Sequence, residues 1–292
     1  MPDFQKQTVQ WFPGHMAKTR RQIKEYLPLV DCVTELLDAR IPLSSRNPEL
    51  DELTQRKPRI VLLNKCDMAD PEITAQWVRY FASLGQHAIA VDCRSGKGLN
   101  RYHALVRTVL ADKIKANEEK GMPGKALRVM VVGIPNTGKS SFINRMAKKN
   151  RAAVADRPGV TRRSQWFAIG GGIELLDTPG VLWPRFDDPA IGDKLAFIGS
   201  VKDEVLDGET MACRLLAVLA AQHPALLKER YALADDALAT QQPFELLEQI
   251  GQKRGMRIRG GEIDTERAAA MLLDEYRAGK LGRLSFERPP SH

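Results

Sequence analysis

The sequence predicts an α/β fold built on a mostly parallel sheet, followed by an all-helical domain, and three observations predict it. Short apolar runs alternate with amphipathic stretches of helix length through the first part of the chain. One of these alternations carries a glycine loop, Gly133-Ile134-Pro135-Asn136-Thr137-Gly138-Lys139-Ser140, set between an apolar run and a helix. Beyond Trp183 the strand-like runs stop and only helix periodicity continues.

Taken in order, the chain opens with Trp11-Phe12-Pro13-Gly14-His15-Met16-Ala17-Lys18, which leads into a basic helical stretch, 19–26. Residues 32–39 and 59–63 read as strands, the second nearly continuously apolar, as a strand buried on both faces must be. Between them the Pro/Ser/Asn-rich segment 41–48 reads as a loop. A helix follows over 71–84, with Pro71 in its first turn, then a strand over 88–92 and an amphipathic helix over 99–115. The polar, breaker-rich segment 117–125 reads as an exposed connector. Strand 127–132 runs into the glycine loop and a helix over 141–149. Two runs, 165–169 and 173–176, are joined by Gly170-Gly171-Gly172 as a hairpin. Helices are then expected over 210–222, 224–233, 243–252 and 265–278, with Gly255, Gly260 and Gly279 as breakers. The domains expected are thus 1–190, with helices on both faces of the sheet, and a helical domain, 191–292.

The 292 residues suffice for about two domains, and 43% hydrophobic with 27% charged residues is the composition of an ordinary soluble protein. No apolar run approaches the roughly 18 residues a membrane helix needs, and no secretory leader is visible. Cys32, Cys66, Cys93 and Cys213 are scattered, which disfavours zinc or disulfides and fits buried thiols in a cytoplasmic setting. The net charge of +8, with a pI near 9.3, favours a polyanionic partner. Lys253, Arg254, Arg257 and Arg259 crowd one short segment, either a solvated loop or a phosphate-contacting patch; the basic total favours the patch.

The glycine loop has a definite chemistry. Gly133 and Gly138 let the backbone curl with its N–H groups inward, Thr137 and Asn136 lie within the curl, and the helix beginning near Lys139 adds its positive end. Lys139 would reach the β- and γ-phosphates of a nucleotide, and the Ser140 hydroxyl would take a place on Mg²⁺. Asn64-Lys65-Cys66-Asp67 follows a buried strand, where open α/β sheets place ligands. Asp67 can accept from both the ring N1–H and the exocyclic amine of guanine, Asn64 can bond the N7 side, and the Lys65 stem can cover the ring. Cys93 and Arg94 open a loop that could offer a backbone N–H to guanine O6. Asp177-Thr178-Pro179-Gly180 would complete the metal site, Asp177 through water and the Gly180 N–H sensing the γ-phosphate; Thr161 is the expected second hydroxyl on Mg²⁺.

These elements bind GTP and GDP in a known order, rotated here so that the guanine elements come first. The chain looks like a circularly permuted P-loop GTPase, in which the segment after Gly180 runs into the helical domain. Within that class, Pro13-Gly14-His15-Met16-Ala17-Lys18, Asp38-Ala39-Arg40-Ile41-Pro42, Gly133-Ile134-Pro135-Asn136 and Pro158-Gly159-Val160-Thr161 closely resemble the ribosome biogenesis GTPase A family (YlqF/RbgA). The resemblance covers about 11–183, with only general similarity beyond. It implies a factor that binds the large ribosomal subunit late in assembly, hydrolyses GTP under stimulation by that particle, and touches rRNA through its helical domain.

Many GTPases orient the attacking water with a glutamine directly after the Asp-x-x-Gly glycine. Here that residue is Val181, which predicts slow intrinsic turnover. His15 is similar to a histidine suspected of catalysis in this family, against the alternative of a surface histidine ahead of a helix. Asn136 resembles the asparagine of potassium-activated GTPases, in which K⁺ supplies charge. Two other readings stay open: a small-subunit assembly GTPase, disfavoured by the absent cysteine–histidine cluster, and an RNA-binding scaffold without useful turnover. The oligomeric state is open as well.

Overall fold

The computed structural model describes residues 15–147, 165–183, 186, 188–202 and 206–290, with side chains from residue 18 onward. The described chain falls into two compact units. One holds the sheet and extends to residue 183; the other holds the later helices to residue 286; residues 287–290 belong again to the sheet unit although they follow the helices in sequence.

The sheet has six strands: β1 (Cys32–Asp38), β2 (Arg59–Asn64), β3 (His87–Ala90), β4 (Leu127–Val132), β5 (Gln165–Gly170) and β6 (Ile173–Asp177). Their spatial order is β3-β2-β1-β4-β6-β5, all parallel except the β5–β6 hairpin. The chain steps outward from β1 to β3 and then returns to lay β4 on the other side of β1. That reversal creates a crevice beyond the carboxyl ends of β1 and β4, where ligands of open sheets bind.

Helices cover both faces. α1 (His15–Tyr26), α2 (Pro48–Thr54), α3 (Pro71–Ser83), α4 (Tyr102–Val109), α5 (Ala111–Glu119) and α6 (Lys139–Ala147) belong to this unit. Alternate strand residues serve opposite faces, as the pleat requires. Leu36, Leu62, Val129 and Val131 pack with Tyr102, Val106 and Phe142, whereas Leu37 and Leu63 pack with Trp77 and Phe81 of α3. Val33, Met130, Val132 and Leu176 meet Ile23 of α1 and Leu50 of α2. All four cysteines are buried and free, in accord with the buried thiols expected.

Three elements differ from the sequence reading. The segment read simply as loop runs into α2, because Asn47 caps Glu49 N–H at 3.0 Å and Pro48 supplies the fixed φ of a first helical position. The single helix expected over 99–115 is broken at Leu110 into α4 and α5. The connector is shorter than expected, since α5 continues to Glu119 and the Asn117 side chain is buried. The final strand-to-helix switch falls as expected, but residues 148–164, with the end of the helix after the glycine loop, lie outside the described chain.

The second unit contains α7 (Pro189–Phe197), α8 (Gly208–Gln222), α9 (Pro224–Tyr231), α10 (Asp235–Thr240), α11 (Pro243–Lys253) and α12 (Thr265–Arg277). α7 and α10 were not among the helices picked out by periodicity; α10 spans only six residues. Leu215, Leu216 and Leu219 of α8, Leu247 and Ile250 of α11, and Leu272 of α12 are essentially fully buried. Tyr276 stacks on Phe286 at 5.6 Å between ring centres, and Gly251 of α11 admits Ile263 so closely that an added Cβ would lie 2.6 Å from its methyl. No single described helix is long and apolar enough to cross a membrane.

Candidate functional site

Four of the segments singled out by sequence leave the carboxyl ends of parallel strands: 38–40 after β1, 64–67 after β2, 92–97 after β3 and 133–138 after β4. The segment 177–180 ends β6, parallel to β4, at the same edge of the sheet. The topology alone therefore gathers them.

The phosphate loop is a curl of backbone. Gly133, Asn136 and Gly138 all have positive φ (147°, 61° and 98°), and Thr137 Oγ1 closes the turn on the Ile134 carbonyl at 3.0 Å. No side chain fits at Gly138, because a Cβ there would collide with the Asn64 amide. The Lys139 ammonium donates to the Gly133 and Ile134 carbonyls at 2.9 and 2.7 Å, on the inner side of the loop. Burial lowers its pKa to about 8, with Asp177 pulling the other way. Ser140 is half-buried in the first turn of α6, and Asn136 is exposed at the rim.

Gly180 is pressed against this loop: a Cβ would come within 2.8 Å of Pro135 N and 3.1 Å of Lys139 Nζ. Asp177 is buried at the end of β6, and Thr178 Oγ1 anchors the turn by donating to the Val131 carbonyl at 2.6 Å. Val181 points away from this site into the core, only 1% exposed, beside Val33, Leu50 and Met130. Its carbonyl accepts from the Asn47 amide at 3.0 Å. The residue that replaces the usual water-orienting glutamine is thus a packing residue.

On the other side, Asn64 joins two loops. Its amide nitrogen donates to the Thr137 carbonyl at 2.7 Å and its oxygen accepts from Cys93 N–H at 2.9 Å. Asp67 is exposed, and Lys65 holds a left-handed backbone, φ 59°. The 92–97 loop is organised by Asp92, whose carboxylate accepts from the N–H groups of Arg94 at 2.8 Å and Ser95 at 3.1 Å. The Cys93 and Arg94 N–H groups, expected to face a base, are engaged within the fold by Asn64 and Asp92. A base reaching this loop must share the Arg94 donor with Asp92. Burial pushes the Cys93 thiol well above its usual range, so it is a packing group rather than a nucleophile.

The sequence pattern assigns no role to Asp38 and Arg40 and does not mark Asp92 or Arg145, whose guanidinium donates to the Ser95 carbonyl. Only the Asp92-x-x-x-Gly96 spacing, typical of an aspartate-capped turn, could have flagged one of them. Thr161 lies outside the described residues, as does the His15 side chain. In the helical unit, Lys253, Arg254, Arg257 and Arg259 are exposed, although Lys253 donates to the Ala232 carbonyl at 2.7 Å and Arg257 to the Gly261 carbonyl at 2.7 Å. Ile258, between two of these arginines, is 46% exposed.

A family model described as "50S ribosome-binding GTPase" matches residues 128–246. The chain is 46% identical over 281 residues to the Ribosome biogenesis GTPase A of Bacillus cereus, covering 96% of this chain and 94% of that one. It is 47% identical to the protein of the same name from Priestia megaterium, over 97% of both chains. Among solved structures, GNP-bound YlqF from T. maritima matches with a TM-score of 0.65 and 30% identity, over 94% of this chain and 100% of that one. A GDP-bound YlqF structure matches with the same score over 92% and 99%.

Proposed function

Because this chain belongs to the ribosome biogenesis GTPase A family, circularly permuted GTPases, we propose that it binds the large ribosomal subunit and assists its late assembly, with hydrolysis of GTP to GDP and phosphate stimulated by that particle. The observation that carries this reading is the core position of Val181. A chain with a phosphate loop and a guanine element, but with no water-orienting side chain after Gly180, needs its attacking water placed by another group. A stimulating particle answers that need.

In this reading GTP lies along the crevice. Asp67 reads the base, with the Lys65 stem over the ring, Asn64 on the N7 side and the Cys93–Arg94 loop near O6. The curl of 133–138 and Lys139 hold the phosphates, and the Gly180 N–H meets the γ-phosphate. The oxygen donors, Ser140 hydroxyl and Asp177 carboxylate, suit Mg²⁺, which needs only one or two protein ligands beside phosphates and water. Among the described residues no cluster of His, Cys, Asp or Glu suggests another metal. Thr161 would add the second hydroxyl and Asp177 would act through water. The ion would neutralise charge on the β- and γ-phosphates. Asn136, on the exposed rim, would hold K⁺, and His15 would position water. Residues 1–190 are then the GTPase domain and 191–292 the rRNA-binding domain, whose exposed arginines at 254, 257 and 259 are its phosphate contacts.

Co-sedimentation with separated subunits tests the choice of particle. The reading predicts GTP-dependent binding to the large subunit, and binding to the small subunit alone would overturn it. For the ion, turnover should be faster in potassium than in sodium, and equal rates would remove Asn136 from the mechanism.

A further inference from the structure

The end of β1 carries a buried ion pair, Asp38 with Arg40, to which the reading above gives no role. Asp38 and Arg40 are 0% and 1% exposed. Arg40 grips the carboxylate with both arms of its fork, Nε to Oδ1 at 2.9 Å and Nη2 to Oδ2 at 2.8 Å, and its backbone N–H adds a third bond to Oδ1 at 3.1 Å. The Lys65 ammonium then meets Oδ2 at 3.1 Å. Two cations share one carboxylate, and the Asp38 N–H is tied to Ser45 Oγ at 3.1 Å. Burial alone would raise the Asp38 pKa, but Arg40 and Lys65 outweigh it and hold the carboxyl well below the usual range.

A buried charge cluster is a poor way to gain stability, because desolvation consumes much of the attraction. What it gives is direction. A guanidinium fork fixes the plane of a carboxylate, and a fixed carboxylate leaves an oxygen aimed at one place. Here that oxygen faces Lys65. The lysine also sits in a left-handed backbone that a side chain with a Cβ rarely adopts, so it is held from both ends.

We propose that Arg40, acting through Asp38, is a positioning residue for Lys65, and that the three residues form a clamp holding the lysine stem as a platform for the purine ring. The idea rests on the assignment of 64–67 to the base. The clamp supplies stacking area at a fixed height, whereas Asp67 supplies selectivity. Its loss therefore weakens all purine nucleoside diphosphates that Asp67 accepts by the same factor. A conservative Arg40→Lys change keeps the charge but loses the fork.

The test is a cycle of Arg40→Lys, Lys65→Met and the double variant, read as affinity for GDP and for inosine diphosphate, with circular dichroism and the thermal midpoint as checks of fold. Arg40→Lys should weaken both nucleotides equally, by about tenfold, the weight of a charge-assisted contact. In the Lys65→Met background the same change should cost less than about twofold, because the lysine it positions is gone. An equal loss in both backgrounds, or no loss in either, overturns the clamp. Asp67→Asn separates this from failure of the base assignment: it should shift preference from GDP toward xanthosine diphosphate whatever the cycle gives. If Asp67→Asn leaves that preference unchanged, the base assignment fails and takes the clamp with it.

Discussion

The guanine end and the phosphate end of the crevice are built by different means. At the guanine end, side chains brace one another across loops: Asn64 joins Thr137 to Cys93, Asp38 joins Arg40 to Lys65, and Asp92 shapes the turn after β3. At the phosphate end, backbone shapes the site and one buried lysine is held inside it by two carbonyls, with Gly180 lying against Pro135. The contrast teaches that, in the proposed reading, base recognition rests on residue identity at several coupled positions, and phosphate recognition on the absence of side chains at two glycines and on the charge of Lys139.

The largest effect should therefore come from adding one carbon at the phosphate end. Gly138→Ala puts a Cβ into the Asn64 amide at a backbone angle that alanine resists. Strain of about 3 kcal/mol corresponds to about a hundredfold loss of GDP affinity in a fluorescence titration. Retained affinity would mean that the two ends are not in contact through Asn64.

Removing the brace itself comes next. Asn64→Ala leaves the Thr137 carbonyl and the Cys93 N–H without their partner, and should lower the unfolding free energy by about 2 kcal/mol in urea titrations. GDP affinity should fall with it, by roughly tenfold or more. A stable variant with weakened GDP binding would make Asn64 a base contact only, and sharpen the division in the other direction.

A pH titration separates the ends without mutation. Burial holds Lys139 near 8, and a phosphate favours its charged form, so binding takes up a proton once the pH passes that value. GDP affinity should be level below about pH 8 and fall as pH rises through it, by at most about tenfold per unit. Calorimetry in buffers of different ionisation heat reads the proton directly. A flat profile to pH 9.5 would leave the lysine charged throughout and contradict its buried setting.

The smallest effect concerns a brace far from either end in sequence. The Glu287 carboxylate accepts from Leu43 N–H at 2.7 Å and from Ser44 N–H and hydroxyl, while Trp77 Nε1 donates to the Glu287 carbonyl at 3.1 Å. Glu287→Ala should lower stability by about 1–2 kcal/mol, seen in thermal unfolding, with GDP affinity within about twofold. A larger loss of GDP affinity would extend the side-chain bracing to this corner.

The glycine loop and the buried strands were legible because each is a local necessity: a backbone curl needs glycine, and a strand covered on both faces needs apolar residues. The rotated order of motifs followed from the sequence alone. What escaped was relational. The Asn47-Pro48 pair reads equally as a turn and as a helix start, so α2 was passed over. Leu110 gives no local sign that α4 and α5 part there. Asp38 and Arg40 resemble any polar strand end until their burial and their pairing with each other and with Lys65 are seen. Glu287 meets Leu43 244 residues away, a distance no spacing rule spans.

The central proposal is that this GTPase has no water-orienting side chain directly after Gly180 and turns over fast only when the large ribosomal subunit stimulates it. GTP hydrolysis by the purified protein, alone and with separated large and small subunits in potassium buffer, tests it most directly. The account predicts slow turnover alone, no change with the small subunit and strong stimulation by the large one. Intrinsic turnover as fast as the stimulated rate, or stimulation by the small subunit alone, would contradict it.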